Sequence, residues 1–429
     1  MKKVRIGVFG LGRGGFAVRY CNIAKNAEVV AICDRLVDKL DRFRAEGIAC
    51  FDNFDDFIQY DMDAVILANY ATEHAPYAIK AMKAGKHVLS EVLPFQCLKE
   101  GVELVEAVEE TGMIYAYAEN YCYMPCNLEM RRMIKDGRLG TFEYGEGEYM
   151  HNCEPDWEHI SYADPNHWRN TMPSTFYCTH SIGPMIHVSG QRPVKVSGFE
   201  LPHNTRMHRM GAHASPMAME VITLESGAMI KSIHGVGVSK CSYWFGCYGS
   251  KGRAESAREA TGPHVNYRKL YVNLDEYEGQ NRHSEVETLY YPSDELTDMA
   301  REAGHGGGDF YVMYHFCEKI LGHEHDSIDV YEACDMFLPG LFAYKSILAG
   351  GIPMDIPNFR IKEERDKWRN DTACTDKNAA GDMLLPTFSK GTPDIDEGVY
   401  EYMKKLWKAE CESDQKNYRS SAFHQGSKK

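Results

Sequence analysis

The first residues able to do chemistry are Gly10, Leu11, Gly12, Arg13, Gly14 and Gly15, which fit G-x-G-x-x-G directly after an apolar run at 4–9. A turn of this kind brings backbone close to a diphosphate. Gly10 permits the sharp passage from strand to helix. Gly12 has no Cβ to hold a pyrophosphate away, and Gly15 lets the helix pack close to the strand. The helix N-terminus then presents free N–H groups and the positive end of its dipole. A second apolar run, 29–33, ends in Asp34, whose carboxylate suits a ribose diol and repels a 2′-phosphate. Arg35 follows and can offset that repulsion. The pattern predicts a dinucleotide site that favours NAD.

The elements that must position this turn are legible around it. Strand-like runs at 4–9, 29–33, 64–68, 87–90 and 114–118 alternate with helical patterns such as 72–84 and 98–110. Gly85 and Gly112 read as helix ends. This alternation predicts α/β architecture, an N-terminal doubly wound parallel sheet of the Rossmann type. Ligands there lie outside the carboxyl ends of the strands, which places Asn69, Thr72, His74, Glu91, Asn120 and Tyr123 at the crevice. After about residue 124 the pattern changes to strand-like runs at 141–149, 194–199, 217–224, 228–234 and 241–246. These predict a C-terminal α+β domain on a largely antiparallel sheet. Residues 151–180 read as a loop over the site, 253–300 as charged and irregular, and 309–321, 330–349 and 394–409 as helices. The expected domains are 1–124, 125–360 and a C-terminal extension, 361–429, packed on both.

The chain has 429 residues, 44% hydrophobic and 26% charged, with net charge −14. That balance is ordinary for a globular protein and argues against nucleic-acid or anionic-membrane partners, which need basic surface. The 14 cysteines lack zinc-site spacing, so no metal is expected. The first strand-like run starts at Val4, no apolar run reaches membrane length, and reduced thiols are expected, all of which point to a cytoplasmic enzyme.

The glycine turn with Asp34, the run Ala64 to Asn69, the triplet Thr72, Glu73, His74, and the stretch Gly85 to Glu91 together resemble the Gfo/Idh/MocA oxidoreductases over about residues 1–360. In that family Glu91 begins a Glu-Lys-Pro motif whose lysine meets the substrate hydroxyl and the nicotinamide ribose. Here Val92 and Leu93 follow, so the lysine is missing. Glu-Val at this place is similar to the NAD-dependent α-N-acetylgalactosaminidase-like branch. Further similar stretches are Glu119 to Tyr123, Thr179 to Pro184, Gly304 to Asp309, Val330 to Ala333 and Asp355 to Phe359.

The resemblance places His180 beside the nicotinamide. An imidazole titrates near neutrality and can take the proton of a sugar hydroxyl, so His180 is the expected base in the lysine's absence. Tyr123 is expected to hydrogen-bond the reacting hydroxyl, with Tyr121 pointing oppositely if the backbone is extended. Asn69 and Asn120 are expected to reach the cofactor through their amides, with Thr72, His74 and Glu91 beside them. His305 lies in a glycine-rich turn that permits close approach to a ligand. Trp168 offers an indole face to a pyranose and Arg169 a guanidinium to its hydroxyls or a carboxylate; plain packing is the alternative for both. Thr179 joins them as a substrate contact.

The resemblance implies an NAD-dependent enzyme that oxidises a ring hydroxyl, at C3, of a sugar or glycoside by hydride transfer. Two outcomes are open: net dehydrogenation, or redox-neutral glycosidic cleavage. The alternative is a non-catalytic NAD-binding sensor or scaffold, which has no use for His180. Relatives imply a homo-oligomer formed through the C-terminal-domain sheet.

Overall fold

The structure, a computed structural model, describes residues 2–258, 269–278 and 281–425. The strands there form two sheets. The first contains β1 (Val4–Phe9), β2 (Ala27–Cys33), β3 (Ala49–Phe51), β4 (Ala64–Leu67), β5 (His87–Ser90) and β6 (Tyr115–Tyr117). Their order is β3-β2-β1-β4-β5-β6 and every pairing is parallel. Both faces are covered, so the strands read as continuous apolar runs, with Ile6, Val8, Ile32, Val65, Ile66 and Val88 fully buried. The order reverses between β1 and β4, and the crevice at that switch point is where such sheets bind ligands. The expected strands are all present; β3, a three-residue edge strand, is an addition.

The glycine turn leads into α1 (Leu11–Ile23) with Gly10 at φ 92°, a conformation L side chains rarely adopt. The close helix–strand contact is made by Gly14 rather than Gly15. A Cβ at Gly14 would lie 2.7 Å from Val8 Cγ1 and 3.3 Å from Ala68 Cβ, whereas a Cβ at Gly15 meets nothing within 4 Å. The helix turns its 14 position toward β1, so the motif's third glycine does not carry the packing role expected of it.

The second sheet contains β7 (Phe142–Asn152), β8 (Pro193–Glu200), β9 (Ala218–Leu224), β10 (Met229–Gly235), β11 (Gly237–Gly249), β12 (Gly252–Ser256), β13 (Leu270–Glu278), β14 (Asn281–Tyr290) and β15 (Met354–Asp355). Its order is β14-β13-β12-β11-β7-β10-β9-β8-β15. Pairing is antiparallel except between β7 and β10, which run parallel. The irregular reading of 253–300 is therefore corrected. β12, β13 and β14 fill much of it, with Leu270 and Val272 buried on one face and polar residues between them. Residues 259–268 and 279–280 of that range lie outside the described residues.

One face of this sheet carries α2 (Thr179–Ser189), which approaches β7 so closely that a Cβ at Gly147 would overlap the Ser181 carbonyl. Two further helices, α3 (Gly308–Ile320) and α4 (Val330–Leu348), return the chain to the first sheet. Tyr20 of α1 meets Phe310 of α3 at 5.2 Å between ring centroids. Beyond residue 360, Arg365 pairs with Glu109 and Arg369 with Glu106, laying the segment along the helix Leu98–Thr111. The last element, α5 (Glu397–Gln425), docks where Tyr400 donates to the Gly211 carbonyl at 2.8 Å. All 14 cysteines are free thiols, and no described helix is long and apolar enough to cross a membrane.

The glycine geometry gives a paired expectation. Gly14→Ala should cost about 1–3 kcal/mol of unfolding free energy through overpacking against Val8. Gly15→Ala should leave the denaturation midpoint within about 0.5 kcal/mol of the parent. Chemical denaturation of both variants checks this.

Candidate functional site

The crevice is built from the carboxyl ends of β1, β2, β4, β5 and β6. At its adenosine end, Asp34 Oδ2 accepts from the Leu11 amide at 2.7 Å and Oδ1 from the Leu36 amide at 2.8 Å. A carboxylate has about four acceptor positions, so capacity for a diol remains. Arg35 is turned away onto Glu73, 2.7 Å distant, with its guanidinium 5.6 Å from the Tyr70 ring. Its charge is thereby matched, and it does not offset Asp34. A Cβ on Gly12 would meet the Tyr162 hydroxyl at 3.8 Å, an ordinary contact distance, and the buried Asn69 Oδ1 has no hydrogen-bond partner among the described residues. A bare glycine at a helix N-terminus, a buried carboxylate and an orphaned amide oxygen fit a dinucleotide.

Arg13, expected with the glycine turn as a cofactor contact, is held by two carboxylates. Its Nε lies 2.8 Å from Glu91 Oε1, and its Nη1 and Nη2 grip Asp309 at 3.0 and 2.6 Å. Asp309 also accepts from Asn120 Nδ2 at 2.9 Å and from His305 Nδ1–H at 3.0 Å. Burial pushes the Asp309 carboxyl up, but the charge of Arg13 and the bonds from His305 and Arg13 hold it well below the usual range. Burial raises Glu91, and Arg13 only partly offsets it. Three expected site residues, Arg13, Asn120 and His305, thus meet on one carboxylate that sequence reasoning had not singled out, and Glu91 shares Arg13 with it. His305 adopts φ 52°, an uncommon conformation for a non-glycine residue.

Deeper in, His180 on α2 is 8% exposed, and its Nδ1 lies 2.8 Å from Glu119 Oε1. Glu119 closes β6 and is fully buried. A carboxylate only accepts, so Nδ1 carries a proton toward Glu119, and in the neutral imidazole the lone pair falls on Nε2. Around the imidazole stand Tyr149 at 4.5 Å, Tyr121 at 4.8 Å and Tyr177 at 5.7 Å between ring centroids. Arg169 bonds the Tyr177 hydroxyl, so it faces this aromatic chamber. Glu119, Tyr121, Tyr149 and Tyr177 were missed as site residues. The signal for Glu119 was its place at a strand's carboxyl end, while Tyr149 and Tyr177 had no local mark.

Several expected contacts lie elsewhere. Tyr123 is 1% exposed, and its hydroxyl donates to the Asp326 carbonyl at 2.8 Å and accepts from the Ile328 amide at 3.1 Å. Residues Asn120–Tyr123 form a 3-10 turn rather than an extended run, so Tyr121 and not Tyr123 faces His180. His74 is buried against the Leu93 carbonyl at 2.8 Å, and burial lowers it to about 4. It braces the turn after Glu91 through this bond. Thr179 is fully buried beneath His180. Thr72 and Trp168 line a small cavity with Leu93, Gln96 and Thr375, and the indole lies against His167 and Arg169.

Residues 4–119 match the oxidoreductase family with an NAD-binding Rossmann fold, the Gfo/Idh/MocA model. Residues 281–370 match the C-terminal domain of glycosyl hydrolase 109. The chain is thus similar to Gfo/Idh/MocA oxidoreductases in its NAD-binding domain and to glycosyl hydrolase 109 proteins in its C-terminal part. A glycosyl hydrolase family 109 protein of Solibacter usitatus is 25% identical over 418 residues, 85% of this chain and 89% of that one. An alpha-N-acetylgalactosaminidase of Tannerella forsythia is 26% identical over 346 residues, 70% and 71% of the two chains. In fold, the chain is similar to levoglucosan dehydrogenase in complex with NADH and L-sorbose, with TM-score 0.68, 18% identity, and 83% and 100% of the chains covered. The WlbA dehydrogenase from Bordetella pertussis gives 0.67, 18%, 83% and 98%. NAD is the cofactor of this Gfo/Idh/MocA domain.

Two expectations follow from the crevice. The protein should bind NADH well above NADPH, and Glu73→Gln, which releases Arg35, should narrow that gap by roughly tenfold, the scale of one charge-assisted hydrogen bond. Titration of both reduced cofactors by fluorescence checks it. Tyr123→Phe should cost about 1–3 kcal/mol of stability by unpairing the 326–328 backbone, with NADH affinity unchanged. Denaturation and binding measurements on that variant separate the two effects.

Proposed function

We propose that this enzyme oxidises the C3 hydroxyl of a glycoside and uses the resulting ketone to cleave the glycosidic bond without net redox change. The observation that carries this is the His180–Glu119 pair inside the tyrosine chamber, in a site with Val92 where dehydrogenase relatives carry a lysine. The relatives named glycosyl hydrolase family 109 support the same direction.

His180 Nε2 takes the proton of the reacting hydroxyl, and Glu119 stabilises the imidazolium that forms. Bound NAD supplies the hydride acceptor at the start of the cycle and the donor at its end. Once C3 is a carbonyl, the C2 proton is acidic. Its loss breaks the C1–O bond, releases the aglycone and leaves an unsaturated ketone, to which water adds before the ketone is reduced. Arg169 and Tyr177 offer donors to the sugar's hydroxyls, and the stacked rings of Tyr149 and Tyr177, 5.9 Å apart, wall the chamber. Val92 is apolar and cannot exchange the hydroxyl proton, which leaves that task to His180. The same reading takes the enzyme as a cytoplasmic homo-oligomer. Phe199 at 52% and Met229 at 42% exposure leave apolar surface on the sheet face away from the helices, and the free thiols suit a reducing compartment.

Incubation of aryl glycosides in heavy water should release the aglycone with NAD needed only in catalytic amounts, and the sugar should carry deuterium at C2. His180→Ala should lower turnover about 100-fold or more with cofactor affinity little changed. Stoichiometric NADH accumulation with a keto-sugar and no aglycone release would instead identify a dehydrogenase.

A further inference from the structure

Between β7 and α2 the chain runs as a strap, 153–178, and at Tyr162 it arrives over the glycine turn. The Tyr162 hydroxyl is 3.8 Å from the position a Cβ would take on Gly12, and among the described residues outside the local helix no other atom comes within 4 Å of that position. Gly12 is the residue whose bare Cα lets a pyrophosphate approach. A phosphate entering there meets this hydroxyl, which makes no hydrogen bond to any described residue.

The strap is held in an uncommon shape to do this. Tyr162 and Ala163 lie at φ 54° and 48°, consecutive left-handed conformations that L residues adopt at a cost and only where the surroundings over-determine them. The surroundings are visible. The Ala163 amide bonds the Glu158 carbonyl at 2.9 Å, and Lys39 of the first domain sits 5.6 Å over the Tyr162 ring. The ring meets His167 edge-on at 6.0 Å, and His167 in turn meets Tyr70 at 4.9 Å. From the outer side α5 closes on it: Trp407 makes a T-shaped contact with Tyr162 at 6.3 Å, and Glu410 lies 3.6 Å from His159.

The geometry points to Tyr162 as a cofactor-binding residue whose hydroxyl donates to the dinucleotide pyrophosphate, with α5 as a latch that keeps the strap closed and slows cofactor release. This rests on the NAD-binding domain alone and is independent of the sugar chemistry proposed above.

The test uses the full chain loaded with NADH and chased with excess NAD, release being followed by stopped-flow fluorescence. Tyr162→Phe, which keeps the ring and its packing, should release NADH about tenfold faster. Its affinity for ADP should fall by a similar factor, while its affinity for adenosine, which has no phosphate, stays at the parent value. Trp407→Ala, which loosens the latch, should also speed release by several-fold. Parent-like release from Tyr162→Phe, or equal losses for ADP and adenosine, would overturn the pyrophosphate contact. Parent-like release from Trp407→Ala would overturn the latch.

Discussion

The contact of Arg13 with Asp309 and Glu91 is the constraint on which the rest of the site depends. Arg13 comes from the first turn of the first helix, Glu91 from the end of β5, and Asp309 from the start of α3, which follows β14 in the chain. One guanidinium therefore sets the glycine turn, the switch-point crevice and the glycine-rich loop at 304–308 in register. The two carboxylates are buried, and removing the cation would leave Glu91 without its ion-pair partner and Asp309 with only Asn120 and His305, a far larger penalty than a surface pair carries. Asn120 and His305 read the same carboxylate, so the floor of the chamber is set by charge rather than by hydrophobic contact alone.

The second sheet contributes shape. Gly147 lets α2 sink onto β7, and that approach carries His180 down to Glu119. Tyr149 and Tyr243 lie opposite each other across β7 and β11, on the face that receives α2. The imidazole is thus approached by strand residues from one side and by the 3-10 turn at 120–123 from the other. An arrangement of this kind fixes ring orientation through packing, with the Glu119 bond selecting the tautomer.

Much of this was legible in the chain. Apolar strands ending at glycine or acid gave the parallel sheet, because buried strands leave unbroken hydrophobic runs. The second sheet was legible where its strands alternate, and lost in 270–290, where the charged and polar residues of a hairpin resemble a loop. At the site, motif position located His180, Asn120, Glu91 and His305 but not what they touch. Asp309 was hidden because two of its partners, Asn120 and Arg13, lie 189 and 296 residues away, beyond any local pattern. Tyr123 and Tyr121 were exchanged because a 3-10 turn does not keep the two-residue alternation of a strand. The packing glycine fell one place early for a related reason: helical phase, not motif position, decides which residue faces the strand.

The parallel pairing of β7 with β10 bears on how the molecule assembles. Residues 144–150 and 229–235 can pair only after the intervening chain has looped out and returned. That loop contains the strap, α2, β8 and β9, so His180 and the aromatic chamber are enclosed by the same closure that completes the sheet. Long-range pairing of this type is entropically costly and slow. The first sheet is built from shorter-range βαβ units, so on these grounds it can form first and offer the surface on which the later segments gather.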